Sequence, residues 1–239
     1  MKNRGVLYLL WGDKAQTALE RSIDSLKKFH PDLPVKVEVL KEIQDPMEGL
    51  LQKSKMAEFS PFEETLYLDA DTVVLGNLDF AFEKASRFGL ACTICECPWA
   101  RRYPQIKGDI VEYNTGVLFF TEKARPVFDE WQQAVLTIDS STLFYRNGEL
   151  LKSPYDDQAG FAYAVETTGF QPFVLPLNWN LRPMWQQSLF GPVKIWHDYS
   201  EVPPFLYEAA NYYEQPDAVI QYTEFKRCAP DFAVAQTTA

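Results

Sequence analysis

The sequence predicts a single α/β domain with a mostly parallel central sheet flanked by helices. Three observations carry that expectation. The chain opens strand–helix–strand, the unit from which parallel sheets are assembled. Strand-like runs then go on alternating with amphipathic helical stripes to beyond the middle of the chain. The composition, 46% hydrophobic and 15% aromatic over 239 residues, supplies enough apolar surface to cover both faces of such a sheet, and no stretch reads as a linker between two halves.

The first strand is VLYLL, residues 6–10. After a polar turn, Ala15, Ala18, Leu19, Ser22, Ile23, Leu26 and Phe29 recur at helical spacing. The chain turns at HPDLP, and VKVEV (35–39) alternates as a second strand. A helical stretch over about 50–59 stops at Ser60-Pro61, because proline lacks the donor a continuing helix needs. It leads into the apolar strand LYL (66–68), and residues 90–94 and 116–120 read as further strands. Thr121 suits the N-cap of a helix reaching residue 136, with Ala124, Val127, Phe128, Trp131 and Val135 on one stripe. The second half is less regular: aromatics and prolines scattered through LPLNWNLRPMWQQSLFGP suit a pocket wall better than a plain element, and VKIWH (193–197) is the last strand-like run. The closing AVAQTTA reads as a frayed tail over 226–239.

Charge excludes some functions. A net charge of −10 without a basic run argues against a nucleic-acid partner, whose phosphates such a surface repels. An acidic protein that handles a phosphorylated ligand needs a metal ion or a local basic pocket. The apolar stretch after the basic start, residues 6–11, is too short for a signal-peptide core or a membrane span, so a cytoplasmic protein with no transmembrane segment is expected. Four cysteines, Cys92, Cys95, Cys97 and Cys228, are too few for a disulfide scaffold. In a strand, Cys95 and Cys97 face one way and Cys92 the other, so CTICEC forms no single metal clamp and reads as small core or loop residues.

The chemistry concentrates in LYLDADTVVL, residues 66–75, where Asp69 and Asp71 end an apolar strand. An uncompensated carboxylate there is costly. Strand alternation puts both on one side with Ala70 packed on the other, so a cation is expected between them. Three readings fit these residues. The aspartates are turn residues capping the strand and the helix near 77–79. Or they are the DxDx(T/V) signature of a phosphatase of the haloacid-dehalogenase type, with Asp69 as nucleophile, Asp71 as general acid and magnesium alongside. Or they hold the divalent ion of a nucleotide-sugar glycosyltransferase, which neutralises the leaving diphosphate.

Chain order separates the last two, because the phosphatase motif belongs on a first strand and this one lies on a third. The order resembles the GT-A fold, a Rossmann-like nucleotide-binding half that leads to a DxD. SKMAEFSPFEETLYLDADTVVLGNLDFAF (54–82) is similar to glycosyltransferase family 8, the glycogenin and lipopolysaccharide-galactosyltransferase group, with a lysine ahead of the strand and an Asn-x-Asp phrase after it. YNTGV (113–117), DDQAGF (156–161) and KIWHDY (194–199) match later phrases of that family in the same order. The resemblance runs from about residue 6 to about residue 199. It implies retaining transfer of a sugar from a nucleotide-diphosphate donor, a UDP-sugar, to a hydroxyl of a glycan, lipid or protein acceptor. It also divides the domain, 1–239, into a nucleotide-binding half over about 1–80 and a closing half over about 81–225.

The same resemblance implies the site. Asp69, Asp71 and His197 would hold the ion, and two carboxylates with an imidazole suit Mn2+ (or Mg2+) better than calcium. Lys55 would hold the donor's phosphate or sugar, neighbouring Lys53 reading as a solvated position. Ala70, Asn114, Thr115 and Gly116 would line the donor and acceptor pocket. Asp157 and Gln158 would lie beside the anomeric carbon, although Asp156 or Asp157 serves equally as a helix N-cap. Tyr8, Trp11 and Asp13 suit base and ribose contacts, since ligands of open α/β sheets bind outside the carboxyl ends of the strands. An inverting enzyme would need a base, with Glu96, Asp109, Glu112 and Asp156 as candidates. The sequence departs from the family after His197: the family's glycine and diphosphate-clamping lysine are missing from HDYSEVPPF. Lys194, Arg182, Arg101 and Arg102 are the basic residues able to replace it, and the departure keeps open a catalytically silent domain that only binds nucleotide or glycan.

Overall fold

The computed structural model describes residues 3–13, 15–41, 45–96, 110–141, 143–152 and 156–224. The expected frayed tail, Cys97, Cys228, Arg101, Arg102 and Asp109 lie outside the described residues. The opening unit forms as expected: β1 (Arg4–Trp11), α1 (Gln16–Phe29) and β2 (Val35–Leu40), with β1 and β2 parallel. The single helix expected next is two. α2 (Pro46–Ser54) starts where the Asp45 carboxylate accepts the Met47 N–H at 2.9 Å with Pro46 in the first turn, and α3 (Met56–Phe59) follows after a break at Lys55.

β3 (Glu64–Leu68) joins the free side of β1 in parallel and is buried along its whole length. A tight turn leads to β4 (Thr72–Val74), then α4 (Asp79–Phe88), β5 (Leu90–Ile94) and β6 (Tyr113–Thr121). Thr121 makes no side-chain cap. A 3-10 turn over Glu122–Ala124 intervenes, and α5 (Arg125–Thr137) begins with Pro126 in its first turn. The hairpin β7 (Leu143–Arg146) and β8 (Glu149–Lys152) precedes α6 (Gln158–Thr168) and β9 (Phe173–Leu175). Short elements complete the described chain: β10 (Ser188–Phe190), β11 (Ile195–His197), α7 (Pro204–Tyr213) and β12 (Tyr222–Glu224).

The central sheet has six strands in the order β2-β1-β3-β6-β5-β9, and β6 alone runs against the others. Alternation along the strands splits the core between its faces. Val6, Tyr8, Leu66, Leu68 and Phe119 meet Leu19 and Leu26 of α1 and Ala81, Phe82 and Ala85 of α4. Leu7, Leu9, Tyr67, Leu118 and Phe120 meet Val127, Phe128 and Trp131 of α5 and Phe161 of α6. Among the described residues no helix is long and apolar enough to cross a membrane.

The reversed direction of β6 positions the site. Its first residues, Tyr113 to Gly116, lie at the edge where β1, β3 and β5 finish, and the Asp69 N–H donates to the Gly116 carbonyl at 2.8 Å. A separate ribbon pairs β4 antiparallel with β11 and sets His197 opposite Thr72. The carboxyl edge of the sheet therefore collects Trp11, Asp69 to Asp71, Glu96, Asn114 to Gly116 and His197 from distant parts of the chain.

Candidate active site

Asp69 and Asp71 share one side because of a turn, not because of strand alternation. β3 ends at Leu68, and the backbone reverses through Ala70 and Asp71, held by the Thr72 N–H and hydroxyl, which both donate to the Asp69 carbonyl at 3.2 and 2.8 Å. His197 Nε2 lies 3.3 Å from Asp71 Oδ1 and 3.8 Å from Asp69 Oδ2. One ligand atom from each of the three residues falls within 4.8 Å of the other two, so the group fits a single divalent ion. Gly116 is needed for this approach, because a Cβ there would collide with His197 Cε1 and Asp69 Oδ2.

A chain of buried amides fixes the imidazole. The Gly116 N–H can only donate, and it donates to Asn114 Oδ1 at 2.9 Å; Asn180 Nδ2 donates to the same oxygen, also at 2.9 Å. The remaining Asn180 oxygen therefore faces His197 Nδ1, 2.8 Å away, as an acceptor. His197 is thus held with its proton on Nδ1 and the Nε2 lone pair towards the two aspartates, the orientation a metal ligand requires. When Nε2 also carries a proton, its hydrogen bond and charge outweigh burial and hold the Asp71 carboxyl below its ordinary range; a bound ion would take that proton's place.

The lysine at this site is Lys53, not the expected Lys55. Lys53 Nζ reaches Asp157 Oδ2 at 2.9 Å and Asp69 at 3.2 Å, whereas Lys55 sits in the break between α2 and α3 and caps α2 with its backbone N–H. Lys53 lies in the last turn of α2, and a residue two positions on falls near the opposite face of a helix, so the two lysines cannot both face the site. Burial would lower the Lys53 pKa, but the charges of Asp157 and then Asp69 win and raise it. Asp157 is likewise pushed up by burial and pulled down further by Lys53 and by the Thr115 hydroxyl, so it stays ionised. Both partners use Oδ2, leaving Oδ1 without a hydrogen bond among the described residues. The Tyr67 hydroxyl donates to Asp69 Oδ1 at 2.7 Å. At the start of α6 the side-chain cap is Asp156, whose Oδ1 accepts the Ala159 N–H at 3.0 Å, and this frees the Asp157 carboxylate for the cavity.

Two cavities meet at Asp69. One, of about 340 Å³, is lined by Leu9, Leu10, Trp11, Ala15, Ala70, Asp71 and Tyr199. The other, of about 240 Å³, is lined by Lys53, Asn114, Thr115, Gly116, Asp156, Asp157, Gln158, Arg182 and His197. Tyr8 belongs to neither: it is fully buried between β1 and α1, its hydroxyl 3.0 Å from that of Ser22, so it cannot touch a ligand as the sequence reading expected. Residue 8 points to the α1 face, whereas Trp11 closes the strand's open end. Asp13 is exposed and lines neither cavity. Asn114 is buried and turned to Gly116 and Asn180, so it supports the site from behind. Gln158 Nε2 donates to Cys95 Sγ at 3.5 Å. Of the candidate clamps, Lys194 packs against Gly76 and lines neither cavity, whereas Arg182 lines the polar one with Nε 3.4 Å from Glu96 Oε1. Burial raises the Glu96 pKa against the pull of Arg182.

Asn180, Arg21 and Tyr199 were missed in the sequence. Asn180 carried a signal, a buried amide in the apolar run LNWN that needs a hydrogen-bonded partner. Arg21, on the polar face of α1, carried none, yet it donates to the carbonyls of Asp198, Tyr199 and Ser200 at 2.7–3.1 Å and ties down the turn after His197.

No known protein family and no curated protein matches the sequence. Solved structures do match. Mouse xyloside xylosyltransferase 1 superposes with a TM-score of 0.52 at 14% identity, over 84% of this chain and 99% of that one. The galactosyltransferase LgtC, solved with donor and acceptor sugar analogues, gives 0.51 at 15%, over 86% and 90%. The glycosyltransferase GlyE of Streptococcus pneumoniae TIGR4 gives 0.51 at 15%, over 84% of this chain and 55% of its own. The fold is that of the GT-A glycosyltransferases.

Proposed function

We propose that this protein transfers a sugar, with retention of anomeric configuration, from a UDP-sugar to an acceptor hydroxyl in a manganese- or magnesium-dependent reaction. One observation carries the reading: a three-residue ligand group, Asp69, Asp71 and His197, stands at the seam of two cavities of opposite character. Nucleotide and sugar are joined by a diphosphate, and the seam is where that diphosphate would lie. The bound ion would neutralise the leaving diphosphate. The aromatic cavity suits the nucleoside, with Trp11 and Tyr199 as walls. The polar cavity suits the sugar, with Asp157 and Gln158 beside the anomeric carbon.

In this reading Asp157 acts through charge. Lys53 and Thr115 hold it ionised on one oxygen, leaving the other to stabilise the positive charge that grows on the sugar as its bond to phosphate lengthens. Gln158 orients the sugar, and the departing phosphate oxygen takes the acceptor's proton on the same face. The phosphatase reading gains no support, since the motif follows the third strand in chain order and both Asp69 oxygens are engaged by Tyr67 and Lys53.

Turnover tests the proposal. With manganese and a panel of UDP-sugars, the expected result is sugar transfer or slow donor hydrolysis, an α-linked product from an α-linked donor in the NMR of its anomeric proton, and no hydrolysis of p-nitrophenyl phosphate. Gln158→Ala should cut turnover at least tenfold while barely changing donor affinity. A β-linked product rules out retention, phosphomonoester hydrolysis supports the phosphatase, and UDP binding without turnover leaves a silent binding domain.

A further inference from the structure

Arg182 is the side chain that could discriminate between sugars. It lines the polar cavity together with Lys53, Asp156, Asp157 and Gln158, and its side chain is 27% exposed. Only Nε is paired, with Glu96 Oε1 at 3.4 Å; the two terminal nitrogens have no partner among the described residues. Its partner Glu96 is 3% exposed, and neither of its oxygens makes a hydrogen bond among the described residues. A guanidinium backed by a desolvated carboxylate is locally neutral, and it keeps its terminal N–H groups free to donate.

The wider charge pattern has the same sense. Three carboxylates of the cavity wall, Asp69, Asp156 and Asp157, together with Asp71 and Glu96 just outside it, outnumber Lys53 and Arg182, so that the site as a whole stays net negative even with a divalent ion. A carboxylate on the sugar would add to that charge. Both cations that line the cavity are already engaged, Arg182 by Glu96 and Lys53 by Asp69 and Asp157. A hydroxyl meets neither difficulty, because it can accept from the guanidinium and donate to a neighbouring carboxylate.

On the donor-site reading above, we infer that the Glu96–Arg182 pair reads the hydroxyls of an uncharged donor hexose and rejects the corresponding uronic acid. The two sugars differ only at C6, hydroxymethyl against carboxylate, so specificity here is a difference of two affinities in which repulsion does much of the selecting. Arg182 contacts the sugar; Glu96 is a positioning residue that acts through it.

Calorimetry in the presence of manganese tests this with UDP, UDP-glucose and UDP-glucuronic acid, and with the galactose and galacturonic acid pair alongside. In the more tightly bound pair, wild type should prefer the neutral sugar at least tenfold. Glu96→Gln should narrow that preference about tenfold by releasing the Arg182 charge, whereas Glu96→Asp should keep most of it. Arg182→Met should bring the neutral donor down to the affinity of UDP and leave UDP itself unchanged. Equal affinity for the acid and neutral sugars in wild type, or an unchanged ratio in Glu96→Gln, overturns the inference. So does an Arg182→Met variant that weakens UDP as much as the sugar donors, because Arg182 would then be a phosphate clamp. A wild type that binds no UDP overturns the donor-site reading itself, and this inference with it.

Discussion

The two cavities that meet at Asp69 are built on opposite principles. The polar one is a closed network: Lys53 joins Asp69 to Asp157, Thr115 and Trp131 hold Asp157 from two sides, and Asn114 and Asn180 orient His197. The aromatic one is an open slot in which Tyr199 is 68% exposed and the Trp11 indole N–H is buried without a partner among the described residues. The first is organised before any ligand arrives, so its residues answer for both stability and chemistry. The second has hydrogen-bonding capacity left for a ligand, and its residues answer for affinity alone.

The comparison breaks hardest at the seam. Asp71→Asn keeps the side chain's size and removes a charged ligand, so metal-dependent nucleotide binding should fall by about a hundredfold or more while the melting temperature holds. Unchanged binding would remove Asp71 from the ligand set.

Lys53→Met should be the most destabilising change, by about 3 kcal/mol, since it leaves two largely buried carboxylates without their cation. The effect depends on pH. Asp157 has its pKa depressed in the fold, so its contribution is present above the ordinary carboxylate value near 4 and is lost as pH falls through the folded value. Lys53 has its pKa raised, so its contribution is full below the ordinary lysine value of about 10.4 and is lost as pH climbs through the folded value. Denaturation of wild type and variant side by side should show a gap that is flat from about pH 5 to 9 and shrinks at both extremes. A pH-independent gap would mean packing, not charge.

Asn180→Ala should release His197 from its Nδ1–H form and weaken manganese affinity about 10- to 100-fold, the usual cost of losing a residue that orients a metal ligand. Nitrogen chemical shifts of the metal-free protein report the tautomer directly. His30 is an internal reference, because its Nε2 accepts the Leu78 N–H at 3.0 Å and it shares the Nδ1–H form. His197 shifts identical in variant and wild type would show that the amide chain does not set the tautomer. The smallest effect belongs to the open slot. Tyr199→Ala should weaken UDP about three- to tenfold and leave the melting temperature alone, and a large stability loss would erase the contrast between the cavities.

Much of this architecture was legible in the sequence because it rests on periodicity. The β1-α1-β2 unit, the α5 stripe and the burial of LYL follow from residue spacing alone. What escaped depends on small backbone events or on distant pairings. The break at Lys55 has no glycine or proline to announce it, and which of Lys53 and Lys55 faces the site depends on the rotation of α2 against the sheet, which a short polar helix does not declare. The aspartates share a side through a turn that alternation does not foresee. Tyr8 is separated from Trp11 by strand parity, which the sequence held but which yields to use only once α1 is known to cover that face. Arg21 and Asn180 act across 179 and 66 residues, and no local pattern records such partners.

The central claim is that Asp69, Asp71 and His197 hold a divalent ion on which nucleotide binding depends. Titrating UDP calorimetrically into the metal-stripped protein and then into the protein with saturating manganese tests it most directly. The account predicts at least a tenfold tighter UDP complex with manganese and, by reciprocity, manganese affinity raised by the same factor when UDP is present. UDP that binds equally well with and without the metal would contradict it.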